Sequence, residues 1–358
     1  MKRRMTEYLL FPFILLVISC MLAESAMFSQ AAFAALKLCA TTLIPVLFPF
    51  SVLSGFLIFS GAADRIFLPW AKLPARLLGC EEQAVCAVFL GMLCGYPIGA
   101  VTLAALYHSG AVSKSTAERL PACCTNASPV FLIAVVGSRL LHSAKAGVML
   151  LLIHILAAVL TGILMRTKNV HHCTDRQNTS AMHPAAAFTK AVQSGGMTMI
   201  SVSGFVVIFS VICRMVCRIL PRQPVISAVL CGLMELTNGL YVLSEAALDP
   251  RIKFLFFAVL TGFSGFCVHF QVLSCLLPEG ISGTTYLKGK LIHAVISLLL
   301  AVPFSMTLTE IPAAAAAFSS PVPVSDFLLT AVWAIFSFAM FFTFLWKFAD
   351  RCAIIKKR

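Results

Sequence analysis

Apolar residues fill this chain in long unbroken runs, and the charged residues gather between them. A helix needs roughly 20 apolar residues to cross a hydrocarbon core about 30 Å thick. Charge-free runs of that order occupy residues 38–63, 120–138, 146–165, 191–213, 254–278, 291–309 and 327–346. A shorter run, residues 8–23, follows the basic group Lys2, Arg3 and Arg4. The pattern predicts about eight transmembrane helices. The shortest also has the look of a signal peptide, with Cys20 placed as at a lipoprotein cleavage site; an anchor helix is the preferred reading.

Two further runs do not fit a simple crossing. Residues 83–113 carry no charge and are broken at their centre by Gly95, Tyr96, Pro97 and Gly99. Residues 224–244 contain Thr237-Asn238-Gly239 with the ionisable Glu235 beside it. Non-helical backbone persists at membrane depth only where protein or a watery cavity surrounds it. Both runs are therefore predicted as re-entrant helical hairpins, entering and leaving on one side, with a kinked spanning helix as the alternative.

The elements come twice in the same order. Residues 38–165 and 191–309 each read as spanning helix, hairpin, polar-centred span and spanning helix. Ser51-Val52-Leu53-Ser54-Gly55-Phe56 also reappears, with a one-residue shift, as Ser201-Val202-Ser203-Gly204-Phe205. With the first helix running outward, the two sets have opposite orientation. Inverted repeats with interrupted membrane segments are a signature of secondary transporters, which bind substrate at the midplane. The predicted division is an N-terminal anchor (1–37), a first repeat (38–165), a cytoplasmic linker (166–190), a second repeat (191–309), and an outer loop, last helix and basic tail (310–358).

Composition narrows the class. The 358 residues are 60% apolar and 11% charged, whereas soluble domains run at roughly 45–50% and about 25%. That excludes a soluble enzyme, a secreted disulfide scaffold and a disordered regulator. The net charge of +13 sits at the ends of apolar runs instead of on one face, so no nucleic-acid partner is expected. Most basic residues fall on one side, those of the 166–190 linker and the tail among them, which places both termini in the cytoplasm. Arg214, Arg218 and Arg222 fall on the other side, where they can line a vestibule that attracts anions.

The fourteen cysteines include no CxxC pair and serve mainly as small apolar side chains. His171, His172, Cys173 and His183 have metal-ligand chemistry but lack zinc spacing, so a solvated linker is expected and no metal. A nucleotide-binding glycine motif with its lysine is absent from the sequence, and no enzyme activity or bound cofactor is expected.

Polar groups at depth are expensive, roughly 2.5–3.5 kcal/mol for a central charge on insertion scales, so their positions carry information. The candidate binding residues are Gly95, Tyr96, Pro97, Asn126, Ser128, Glu235, Thr237, Asn238, His269 and Gln271. Glycine and proline free backbone groups, and a half-helix starting after a break offers its positive end to an anion. Asn126, Ser128, Thr237 and Asn238 supply hydrogen bonds; gluing helices together is their simpler use. Glu235 can hold a cation or carry a coupling proton or sodium ion. His269 and Gln271 share one cavity only if the backbone there is unwound. His154, alone among apolar residues, reads as a packing histidine.

In this order, Gly95-Tyr96-Pro97-Ile98-Gly99-Ala100, Asn126-Ala127-Ser128-Pro129-Val130-Phe131, Gly232-Leu233-Met234-Glu235-Leu236-Thr237-Asn238-Gly239 and Val268-His269-Phe270-Gln271-Val272 closely resemble the sporulation integral membrane protein family called YlbJ or SpoVV. That family belongs to the nucleoside-recognition, or Gate-domain, group and is similar to the concentrative nucleoside transporters. The resemblance covers about residues 40–300. It implies two inverted hairpin-containing repeats and a role in moving dipicolinic acid across the outer forespore membrane during sporulation. The expected partners are then a small organic anion and the lipid bilayer, with oligomerisation left open. Nucleoside or nucleobase transport is an alternative, and so is a non-transporting membrane scaffold for sporulation proteins.

Overall fold

The computed structural model describes residues 14–15, 17–167, 182–219 and 224–306, and these form helices and connecting turns with no strand. A helical stretch at 17–23 leads into α1, Ser25–Phe59. This helix runs straight through the expected boundary at residues 37 and 38. Pro45 and Pro49 remove two N–H donors from it, and just ahead of them it widens into a π turn over Cys39–Leu43, where the Ile44 N–H reaches back to the Cys39 carbonyl.

Helix α2, Ala62–Leu78, starts and ends at glycines with positive φ, Gly61 and Gly79. Ala63, Ala71, Ala75 and Leu78 are buried, whereas Ile66, Trp70, Leu73 and Leu77 are exposed at helical spacing. Arg65, Lys72 and Arg76 are exposed as well. One face on protein, one apolar and one basic suit a helix lying in the headgroup region.

The first hairpin is α3, Val85–Cys94, and α4, Ile98–His108. At 10 and 11 residues the arms are about 15–17 Å long, about half of a hydrocarbon core. Gly95 turns the chain at φ 86°, which an L side chain resists. Ile98 then donates to the Gly95 carbonyl at 3.1 Å. The arms close tightly: Gly91 and Gly99 face each other, and both abut the Cys124 carbonyl oxygen.

Short helices α5, Lys114–Arg119, and α6, Pro121–Cys124, lead to a non-helical stretch at 125–128. The chain resumes as the π helix α7, Phe131–Leu140, and then α8, Ala144–Leu164. The run at 120–138, expected as one spanning helix, is thus a broken one. Thr125 and Pro129 act at the break, Thr125 through its extended backbone and Pro129 through its missing donor.

The second half starts with α9, Pro184–Ile219. The second hairpin is α10, Pro224–Met234, and α11, Leu236–Glu245, separated by Glu235 alone in extended conformation. Gly232 and Gly239 meet backbone to backbone across this hairpin, where any Cβ would collide. Helices α12, Pro250–Phe263, and α13, Gly265–Leu276, form the second broken span, interrupted by Ser264 and Gly265 at φ 78° and 76°. Helix α14, Thr284–Ser305, ends the described chain.

Corresponding helices of the two halves run antiparallel. Along α1 and α9, Gly55 meets Ala191, Val52 meets Gly195, and Glu24 pairs with Arg218 at 3.3 Å. Along α8 and α14, Met165 meets Gly289, and the His154 carbonyl meets His293. The hairpins interlock with the opposite halves. Ala100 and Ala104 of α4 pack with Val268, Val272 and Leu276 of α13. Leu236, Leu240 and Leu243 of α11 join Leu132 and Val136 of α7, together with Phe254 and Phe257 of α12.

Among the described residues five helices are long and apolar enough to cross a membrane, or six if the bent α2–α3 pair counts as one span. Of the eight expected crossings, residues 327–346, and residues 8–13 and 16 of the run 8–23, lie outside the described residues. Exposed Val148, Leu152 and Leu156 on α8, and Val295, Leu299 and Val302 on α14, give these helices apolar outer faces that suit lipid.

Candidate functional site

Each half brings its hairpin tip onto the break in its own discontinuous helix. In the first half Gly95 lies against Ser128, so that a Cβ on Gly95 would sit 3.1 Å from the Ser128 Cβ and backbone nitrogen. In the second half Gly265 sits against the Gly232 carbonyl and the Leu236 nitrogen. Tyr96 joins the two junctions: it packs on the cluster containing both Ala127 and Leu236. Its buried hydroxyl lies by Ser264, at the second break, and within electrostatic reach of Glu235.

The first break is held by its own side chains. Thr125 Oγ1 donates to the Pro121 carbonyl at 2.6 Å, Asn126 Nδ2 to the Cys123 carbonyl at 2.6 Å, and the Phe131 N–H to Ser128 Oγ at 3.2 Å. The Oδ1 of Asn126 is buried without a partner. These bonds take up groups freed by the interruption, as buried backbone requires.

Glu235 is the N-cap of α11. Its carboxyl oxygens accept from the Thr237 N–H at 3.1 Å and the Asn238 N–H at 2.7 Å. The positive end of this half-helix, expected to receive an anionic ligand, is thus occupied by the protein's own carboxylate. Asn238 points elsewhere, donating from Nδ2 to Ser210 Oγ at 2.8 Å. Both line a groove of about 370 Å3 between α1, α9 and the second hairpin, together with Gln30, Arg214 and Tyr241. Of the three vestibule arginines, Arg214 lines this groove, Arg218 pairs with Glu24, and Arg222 lies outside the described residues.

The expected unwinding around His269 and Gln271 is corrected. Helix α13 is regular there, and the interruption falls earlier, at Ser264. Two residues apart on a helix, the side chains diverge: Gln271 Nε2 donates to Cys267 Sγ at 3.3 Å, while His269 Nδ1 lies 2.8 Å from the Tyr286 hydroxyl. The His269 Nε2 has no partner.

Behind these junctions lies a cluster centred on α14 that includes residues outside the predicted set. Thr125, His269, Tyr286, Lys290 and His293 are each 0% exposed. Lys290 Nζ donates to the Thr125 carbonyl at 3.1 Å and lies 3.1 Å from His293 Nδ1. The other His293 nitrogen donates to the His154 carbonyl at 3.2 Å, which leaves Nδ1 as the acceptor for Lys290. His154 accepts from the Ala127 N–H at its Nε2, 3.1 Å, and stacks on His293 with ring centroids 4.7 Å apart. Expected as a packing histidine, His154 also holds the first break. Its Nδ1 is buried and unpartnered. Among the described residues no carboxylate pairs with Lys290.

This cluster had a legible trace. Tyr286, Lys290, His293 and Ser297 follow one another at spacings of four, three and four, a single helical face, and all four are buried. The charge-free run beginning at 291 conceals it, because Lys288 and Lys290 look like flanking charges. Of the histidine-rich linker, His171, His172 and Cys173 lie outside the described residues; among the described residues no group of three metal-type ligands occurs.

A helical membrane protein with two helical hairpins, two interrupted helices and a buried polar cluster around Lys290 is the class that fold and site define. The sequence is similar to the Sporulation integral membrane protein YlbJ of Bacillus subtilis (strain 168), 25% identical over 290 residues, which cover 70% of this chain and 71% of that protein. This similarity agrees with the family resemblance drawn from the sequence. No family model matches the chain, and no solved structure does.

Proposed function

We propose that this protein is a secondary transporter or facilitator that moves a small organic anion, dipicolinate by family resemblance, across the outer forespore membrane during sporulation. The observation that carries this reading is Lys290, whose fully buried Nζ has no carboxylate partner among the described residues and lies beside the break at Thr125. A charge in such a place is expensive unless it is paired. An anion arriving from solution is the missing partner.

The surroundings support the same reading. The unpartnered Nδ1 of His154 and Nε2 of His269 are further polar contacts for carboxylate oxygens. The antiparallel pairing of α1 with α9 and of α8 with α14 fits an inverted repeat, and broken helices at matching places fit a midplane site. The cluster is closed to solvent, so admission of a ligand requires a hairpin to move. Hairpins seated on the breaks by glycine contacts are the elements placed to do so, and Gly95 on Ser128 is the first contact that would part. The name of the similar YlbJ protein supports the sporulation setting.

The test is flux of radiolabelled dipicolinate into vesicles that carry the purified chain, with uridine as the competing substrate class. Dipicolinate flux above that of empty vesicles is expected, and reduction of it by Lys290→Met. Flux equal to empty vesicles, with a folded protein shown by thermal unfolding, overturns the carrier reading; selective uridine flux would move the substrate to nucleosides.

A further inference from the structure

We infer that Lys290 is also the coupling site, binding a proton together with the anion and giving it up when the anion leaves, so that the two cross in the same direction. This rests on the anion-carrier reading above and adds the driving ion and its residue. Glu235, the carboxyl first suspected of that role, is committed to capping α11.

The argument begins with what surrounds the ammonium. From α6 come the Thr125 carbonyl and the thiols of Cys123 and Cys124; from its own helix come His293 and Tyr286; from α8 comes His154; from α13 comes His269. None is an acid. Burial disfavours the charged form of an amine, and an adjacent opposite charge restores it. A carboxylate entering beside Nζ would supply the opposite charge that these surroundings lack, so proton and anion are expected to bind together. By linkage, the factor by which the proton tightens anion binding equals the factor by which the anion tightens proton binding.

The position of the ammonium also bears on which ion drives the cycle. Carbonyls freed at a helix interruption are where a transporter coordinates its coupling cation. Here the Thr125 carbonyl is taken by Nζ of Lys290, a cation supplied by the chain itself. A sodium ion is not needed there while Lys290 is charged.

A route for the proton is laid out by the hydrogen bonds. An N–H bond of Lys290 breaks with its electron pair left on Nζ, and the proton passes to Nδ1 of His293 at 3.1 Å. His293 then releases its Nε2 proton, now held by the His154 carbonyl at 3.2 Å, to water entering as the site opens. The neutral amine keeps a donor for Thr125, so the break survives the empty half of the cycle.

Two measurements test this with dipicolinate as the probe. In vesicles clamped at zero potential with valinomycin and potassium, a pH gradient alkaline inside should drive accumulation by about tenfold per pH unit for one proton per anion. Replacing sodium with choline should change nothing. Lys290→Arg, which keeps its charge throughout, should bind and exchange dipicolinate yet lose gradient-driven accumulation. In weakly buffered detergent solution, dipicolinate binding to the wild-type protein should take up a proton from the medium, and binding to Lys290→Arg should not. Flux that ignores the pH gradient, or a sodium requirement, overturns the coupling proposal and leaves the carrier standing. Absence of both flux and binding in folded protein removes the carrier reading itself, and the coupling with it.

Discussion

Lys290 on the last described helix donates to the carbonyl oxygen of Thr125, a residue 165 positions earlier, at 3.1 Å. That bond ties the closing helix of the second half to the interruption in the first. It explains why a chain so poor in charge keeps a lysine in its interior: the interruption leaves acceptors in apolar surroundings, and an ammonium satisfies them.

The cap on the second hairpin is open to direct measurement. Glu235→Ala removes both acceptors for Thr237 and Asn238 and should lower stability by about 1–2 kcal/mol, the usual loss for an N-cap. Glu235→Gln retains an oxygen and should lose less. Thermal unfolding of the detergent-purified protein reads both, and an alanine variant that melts with the wild type would remove the capping role.

The first hairpin is clamped where Gly91 and Gly99 abut the Cys124 carbonyl. Gly99→Ala puts a methyl into backbone and should destabilise by about 1–3 kcal/mol or more through overpacking. Gly196, with nothing within 4 Å of an added Cβ, is the control. Gly196→Ala should be neutral or stabilising by about 0.5–1 kcal/mol, because alanine suits a helix interior better. Equal melting of the two variants would contradict this packing.

Arg119 is a latch between elements. It is buried and donates to the Leu78 carbonyl at 2.8 Å and to the Gly79 carbonyl, closing the turn after α2. Lysine cannot serve both acceptors with the same planar fork. Arg119→Lys should therefore cost about 1–3 kcal/mol, the penalty for an unsatisfied buried group, seen as earlier unfolding and faster proteolysis near residue 79. An unchanged digestion pattern and melting temperature would sink the latch.

Antiparallel pairing of α1 and α9 makes a covalent prediction. A Cβ on Gly195 would lie 3.2 Å from Val52 Cγ2, so Val52→Cys with Gly195→Cys should cross-link on oxidation. Cleavage in the 168–181 linker would then leave the two fragments joined until reduction. The wild-type chain with its own cysteines sets the background. Fragments that part as readily as in the wild type would refute the pairing.

Much of this molecule can be read from residue order alone. The apolar runs determine that the chain is a helical membrane protein, because unbroken apolar runs of about 20 residues suit spanning helices, whereas the strands of a membrane barrel are shorter and alternate apolar with polar. The helix breaks at Gly95, Pro97 and Glu235 are legible too, since each residue disturbs a helix in a way that sequence makes plain, whereas residues 120–138 read as one span and their interruption is a finding of the fold. Tertiary structure alone decided what the polar residues do. Glu235 is chemically free to bind a cation, and only the fold turns its carboxyl onto the N–H groups of Thr237 and Asn238. His269 and Gln271 look like neighbours and face apart, because the break falls at Ser264. Lys290 looks like a flanking charge, and becomes the centre of the buried cluster because a helix from the second half carries it to the gap at Thr125. Sequence determines where a helix must stop, which is a local property of donors and side chains. Which groups meet at the stop depends on how distant segments pack, and that is settled only when the whole chain has closed around them.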